Sequence, residues 1–225
     1  LGEAVTLNGL LSNQSGSNTL GGTLTLYTGS SIDVGTGSTL VLKGFQANGP
    51  FTKTGAGLMK LTSDSNGSGI MTIQAGTVEF TTGTMDASVF VNSGATLIAT
   101  AANALNDNST RLQLDAGSTY VLRQWDLIGG LAGAGTITQD QAVQSWLAFG
   151  NNGLSETFSG TMQNGAGLLG LTKVGVGVPL GVEYALGPGA LLGELLLQYG
   201  GLDHTATGDT NTGALNIFLG YRFLL

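Results

Sequence analysis

Seven carboxylates fall between Asp64 and Asp140: Asp64, Glu79, Asp86, Asp107, Asp115, Asp126 and Asp140. Two carboxyls about 5–10 Å apart can hydrolyse a glycosidic bond, one as acid and the other as base or nucleophile. If these residues recur at equivalent places in stacked strands, a strand spacing of about 4.8 Å supplies such a pair. Turn chemistry gives the competing reading. Asp86 in "TMDAS" and Asp107 in "LNDNST" sit where Asp commonly bonds its own local backbone, and that role is expected of them. A lyase would add a base or a calcium cluster beside Lys or Arg. Arg111 and Arg123 are the only basic residues between Lys60 and Lys173. Arg111 beside Asp115 is expected to be a surface ion pair worth under about 1 kcal/mol. No GxSxG elbow and no GGxGxD calcium nonapeptide occurs. His204, in "LDHTATGDT", has no second His and no Cys with which to hold zinc, and is expected to be solvated. Trp125 and Trp146 have flat faces that can stack on sugars, although Trp more often buries against a core or lies on its rim. On these grounds no catalytic, cofactor-binding or metal-binding residue is assigned, and no enzymatic activity is expected.

The composition narrows what could position such residues. Of 225 residues, 39 are glycine and three are proline; 9% are charged and 41% hydrophobic. That is too apolar for a disordered chain, and 225 residues suffice for a sizeable core. The solvent face must therefore be made of Thr, Ser, Asn, Gln and Gly, which suit strands and tight turns better than helices. A net charge of −7 with seven scattered Lys and Arg excludes the basic stripe that nucleic acid binding needs. The absence of cysteine excludes disulfides and thiolate metal sites. The chain begins Leu-Gly-Glu-Ala and is expected to be a mature or excised fragment. It has no apolar run long enough for a transmembrane helix.

Short β-type runs recur behind a small residue and a glycine. They read "TGSSIDV" from Thr28, "TGSTLVL" from Thr36, "AGTVEF" from Ala75, "SGATLIA" from Ser93, "AGSTYVL" from Ala116 and "AGTITQ" from Ala134. Gly76, Gly94, Gly117 and Gly135 are 18, 23 and 18 residues apart, at the short end of solenoid periods. Inside each run the period is two: Leu40 and Leu42 are expected to face a core, Thr39 and Val41 to face outward. Glycine supplies the positive φ or tight bend that starts each strand. One such unit cannot bury its own face, but stacked units can. Phosphate-loop readings fail: "KTGAGLMK" lacks GxxxxGK[ST] spacing, and "GGLAGAGT" is followed by no helical pattern.

The stretch "FTKTGAGLMKLTSDSNGSGIMTIQAGTVEF" resembles the autotransporter-associated β-strand repeat of Gram-negative surface proteins. "IGGLAGAGTIT" (Ile128 to Thr138) and "LAFGNNGLSETFSGTMQNGAGLLGLTKVGVG" (Leu147 to Gly177) are similar to the same family's repeats. Met59 departs from the small polar residue usual at its place. The resemblance covers roughly residues 20 to 177. It implies an all-β, right-handed parallel β-helix of the passenger type, carried on the cell surface or secreted, with no chemistry implied. Residues 1–177 are therefore expected to form a β-solenoid.

From Val178 the pattern changes to longer apolar strands, expected at Val178 to Leu186, Ala190 to Tyr199 and Ala214 to Phe223. In the last, Leu215, Ile217, Leu219, Tyr221 and Phe223 fall on one face, which is expected to be a membrane or packing face. Ten alternating residues match a transmembrane β-strand. Gly187 to Gly189 reads as a tight turn and Gly200 to Gly213 as a long polar loop. "LGYRF" resembles the terminal strand of an outer-membrane barrel. Three strands cannot close a barrel, since about eight is the smallest single-chain number. The tail, an antiparallel β segment over 178–225, is thus a solenoid cap or part of a shared barrel. The expected function is display of an elongated, low-charge polar surface, with adhesion or self-association as its consequence and no cofactor. The expected partners are host or neighbouring-cell surface molecules, further copies of the chain, and the outer membrane through the tail; nucleic acid is not among them. The competing expectations are a polysaccharide-processing β-helix enzyme and an oligomeric outer-membrane barrel component.

Overall fold

The computed structural model describes residues 2–65, 67, 69–105, 107–152, 156–173, 178–186, 189–202 and 210–223. Every regular element among them is a β-strand. They divide into two compact units, Leu1–Thr172 and Lys173–Leu225.

The first unit is a parallel β-solenoid. One nine-stranded sheet takes, in hydrogen-bonded order, Val5–Leu7, Ser17–Leu26, Thr39–Ala47, Leu58–Leu61, Thr77–Phe80, Thr96–Ala99, Thr119–Leu122, Thr136–Thr138 and Thr161–Met162. The intervening strands form the second: Leu10–Asn13, Ser30–Val34, Phe51–Thr54, Met71–Ile73, Val89–Val91, Asp107–Leu114, Asp126–Gly133, Ser145–Phe149 and Leu169–Lys173. Each coil therefore gives one strand to each sheet, and like positions stack.

The period-two pattern decides what stacks. Leu40, Met59, Val78, Leu97, Tyr120 and Ile137 lie in register across the first sheet, and all are buried. One residue earlier, the row Thr77, Thr96, Thr119, Thr136 and Thr161 runs along the outer face. Leu40 and Leu42 point inward while Thr39 and Val41 do not, as the alternation requires. Met59 is fully buried, so the residue that departs from the family pattern fills the core. A third contact line joins Phe45, Ser65 and Met85 by isolated parallel bridges. Phe45 meets Phe51 edge-on with ring centroids 5.3 Å apart.

Glycine opens the strands where expected: Gly29, Gly37, Gly76, Gly94 and Gly117 all have positive φ. Gly135 does not. There the left-handed residue is Gly133 (φ 102°), while Gly135 is needed for close approach to Leu114 and Ser118 of the previous coil. Gly94 and Gly133 separate the two uses. Gly94 has φ 79° and open space around it, whereas a Cβ on Gly133 would collide with the Leu114 backbone. Gly94→Ala is expected to destabilise by about 1 kcal/mol from backbone strain alone. Gly133→Ala adds overpacking against the neighbouring coil, for about 3 kcal/mol in all. Urea midpoints of the two variants, read by circular dichroism, check the difference; equal shifts would remove the close-approach argument.

The second unit is a three-stranded antiparallel sheet of Val178–Leu186, Gly189–Leu202 and Thr210–Phe223, paired in chain order. The last two strands are 14 residues each, longer than the sequence suggested. Much of the expected 200–213 loop is strand, because ladder pairing continues through Gly201↔Asn211 and Leu202↔Thr210. Backbone hydrogen bonds need no apolar side chain, so hydropathy underestimates a hairpin's length.

Candidate functional site

Two of the seven carboxylates, Glu79 and Asp140, meet at Arg123. Glu79 and Lys60 face each other in register on adjacent strands, and Lys60 Nζ lies 3.0 Å from Glu79 Oε2. Arg123, just past the strand Thr119–Leu122, sends Nη1 back to Glu79 Oε1 at 3.0 Å and to Thr100 Oγ1 at 3.2 Å. Its other edge forks onto Asp140, with Nε 2.8 Å from Oδ1 and Nη2 2.7 Å from Oδ2. Burial alone would raise the Glu79 carboxyl; hydrogen bonds from Lys60 and Thr100 and the charges of Lys60 and Arg123 outweigh it and hold it low. The Arg123 hydrogen bonds hold Asp140 low as well. Glu79 and Asp140 are thus both kept ionised and separated by a guanidinium, an arrangement that ties coils together and leaves neither carboxyl as a proton donor.

Asp64 joins neighbouring coils, and Asp115 closes a turn through its backbone carbonyl. Asp64 Oδ1 accepts from the Thr84 N–H at 3.1 Å and its hydroxyl at 3.2 Å, one coil on. The Asp115 carbonyl accepts from the Ser118 N–H (3.0 Å) and hydroxyl (2.7 Å), closing a turn. Asp86 is exposed, and Asp107 opens the strand Asp107–Leu114. Arg111 does not pair with Asp115. Four residues of extended strand separate them by roughly 13 Å, and the stack instead brings Glu156, whose Oε1 lies 2.8 Å from Arg111 Nε. Arg111 also lies over the Phe90 ring, 5.9 Å from its centroid. His204 lies outside the described residues. Among the described residues no three His, Cys, Asp or Glu side chains gather as a metal site.

Two buried polar groups escaped the sequence reading. Lys53 is fully buried at an inward position between Ile32 and Ile73 of the neighbouring coils. Its ammonium donates to the carbonyls of Gly55, Gly57 (2.8 Å) and Ala75 (2.9 Å). The signal was present: in "FTKT" the period of two puts Lys53 on the same face as Phe51. This geometry also makes the "KTGAG" lysine a brace between corners. Tyr120, inward between Leu97 and Ile137, donates its hydroxyl to Asp126 Oδ2. Asp126 Oδ1 accepts the Leu105 and Leu127 N–H groups, both at 3.1 Å. An inward Tyr needs a partner for its hydroxyl, and the period-two reading of "TYVL" could have asked for one.

Trp125 and Trp146 are 49% and 50% exposed, so neither is buried in the core. Each immediately precedes a buried residue, Asp126 and Leu147, and those two are register partners. The indoles therefore project outward from equivalent places on adjacent coils, whose strands lie about 4.8 Å apart.

In the tail, Leu215, Ile217, Leu219, Tyr221 and Phe223 pair with Leu197, Leu195, Gly193, Leu191 and Gly189. Those in turn pair with Val178, Leu180, Val182, Tyr184 and Leu186. From Leu215 to Phe223 and at the positions paired with them, every residue of this alternate set is apolar or glycine; Asn211, further along the same alternation, is polar. The other set holds Glu183, Glu194, Asn216 and Arg222. No family model, curated protein or solved structure matches the chain.

Proposed function

We propose that the solenoid is a non-catalytic scaffold, of autotransporter passenger type, that displays a regular low-charge surface at the cell surface or after secretion, for adhesion or self-association. The observation that carries the reading is the outward threonine row from Thr77 to Thr161, one hydroxyl per coil. Such a surface binds through many weak, repeated contacts, so its effective affinity grows with the number of coils or copies engaged. The pairing of Glu79 and Asp140 through Arg123 supports a structural role for the acidic residues over polysaccharide cleavage. Beads coated with the chain are expected to cluster or to adhere to cell surfaces, and to release no reducing ends from polysaccharides. Reducing-end release that Glu79→Gln abolishes would overturn the reading in favour of the enzyme.

The apolar register set from Leu215 to Phe223 favours a second element: the tail sheet uses that set as a contact face, on other copies or in an outer membrane. Size-exclusion chromatography with light scattering separates these. A soluble monomer in plain buffer overturns both, a soluble oligomer assigns the face to other copies, and a defined oligomer that needs detergent assigns it to a shared barrel.

A further inference from the structure

We propose that the corner carrying Trp125 and Trp146 is a binding site for a neutral glycan chain; this rests on the interaction role above and names its ligand class. The chain has two tryptophans, and both stand here, half exposed, on adjacent coils. Exposed aromatic surface gathered in one place marks a contact site, since an unused indole would gain by burial. Trp146 is held from below: a Cβ on Gly170 in the next coil would collide with Cε3, Cζ3 and Cδ2 of its ring, so the ring rests against bare backbone.

The surroundings select the ligand. Gln124 and Gln144, one and two positions from the tryptophans in sequence, are exposed and offer planar amides to hydroxyl groups, while the exposed Gln141 amide donates to Asp140 Oδ1 at 3.1 Å. The corner from Gln139 to Gln144 is fixed by the buried Gln139, which donates to the Val143 carbonyl and accepts the Gln141 N–H, both at 2.6 Å. A preorganised loop loses less freedom on binding. The formal charges of the network that ends here cancel: Arg123 is bound to Asp140 and Glu79, and Lys60 is bound to Glu79. Nothing there seeks a charged partner. A sugar chain matches this set, with C–H faces for the indoles and hydroxyls for the amides.

The two tryptophans make intrinsic fluorescence a direct reader of this corner. The full chain is titrated with hexasaccharides of β-1,4-linked glucose, β-1,4-linked N-acetylglucosamine and β-1,4-linked mannose. At least one is expected to give a saturable change with a Kd of about 0.1–1 mM, matched by calorimetry. Trp125→Ala and Trp146→Ala should each weaken it about tenfold or more while leaving the far-ultraviolet spectrum unchanged. No saturable response up to about 10 mM from any of the three overturns the proposal. Bead clustering is scored in parallel. If the Trp variants lose clustering and no sugar responds, the corner belongs to a second copy of the chain: the glycan reading falls and the interaction role stands. Sugar binding with no clustering or adhesion leaves the site and removes the broader role.

Discussion

Lys53→Ala is expected to destabilise the solenoid by about 3–5 kcal/mol, the cost of removing one member of a buried, fully bonded group. Lys53 occupies a core position between Ile32 and Ile73, where burial would strongly oppose an ammonium ion with no partners. Carbonyls of Gly55, Gly57 and Ala75 supply those partners, two from its own corner and one from the next coil. Alanine deletes the stem as well as the charge, leaving a cavity and taking from the Gly55 and Ala75 carbonyls their Lys53 donor, while Gly57 keeps the Thr77 N–H at 3.2 Å. Lys53→Met keeps the stem and should retain part of the loss, about 2 kcal/mol. Urea unfolding of both variants at pH 7 measures this, and a loss below about 1 kcal/mol for Lys53→Ala would mean that water replaces the ammonium. The pH dependence has a definite sign. Burial pulls the Lys53 ammonium down from 10.5 to about 8, against the Asp33 charge, which raises it. Between those values the unfolded chain holds a proton that the folded chain has shed, so stability from this residue rises with pH across that window. Lys53→Met should abolish that rise.

Asp126→Ala is expected to cost about 3 kcal/mol, because it leaves the Tyr120 hydroxyl and the Leu105 N–H without their acceptor and the Leu127 N–H with only Asn103 Oδ1 at 3.3 Å. Burial pushes the Asp126 carboxyl up from 3.8 to about 6, and the bonds from Tyr120, Leu105 and Leu127 only partly oppose it. The same burial, with the Asp126 charge and hydrogen bond, raises the Tyr120 phenol well above 10. For Asp126 the folded pKa exceeds the unfolded one. The folded chain therefore keeps a proton that the unfolded chain releases between pH 3.8 and about 6. Stability from this group is full below that window and falls as pH rises through it, by on the order of 3 kcal/mol. Most paired carboxylates have the opposite sign; Glu79 and Asp140 lose their contribution as pH falls. Asp126→Asn isolates the effect. It retains a side-chain acceptor for the two N–H groups and cannot ionise, so its thermal midpoint should be flat across that window relative to the parent. An unchanged profile in Asp126→Asn would place the pH dependence elsewhere.

The sequence by itself determined the architecture of the solenoid. Strand alternation and the glycine that opens a strand are properties of a few neighbouring residues, and they repeat. From them follow the inward Leu40 and Leu42, the outward Thr39, and the positive φ at Gly29, Gly37, Gly76, Gly94 and Gly117. The stretch "LNGLLSNQSGSN" carries little periodic signal, although Val5–Leu7 and Leu10–Asn13 are strands. The tail's apolar alternation was readable, but its strand lengths were not, since the ladder extends through polar residues.

Only the tertiary structure decided which charged group meets which. In a solenoid the decisive contacts join residues about twenty positions apart, and their alignment depends on how many residues each corner takes. Arg111 meets Glu156 instead of Asp115 because extended backbone carries near neighbours apart while stacking brings distant coils together. Arg123 reaches back past Thr100 to Glu79 and forward to Asp140 for the same reason. Trp125 and Trp146 become one outward pair through the register Asp126↔Leu147. Alternation fixes the face on which a side chain lies; corner length fixes its neighbour there, and that length has no local signature.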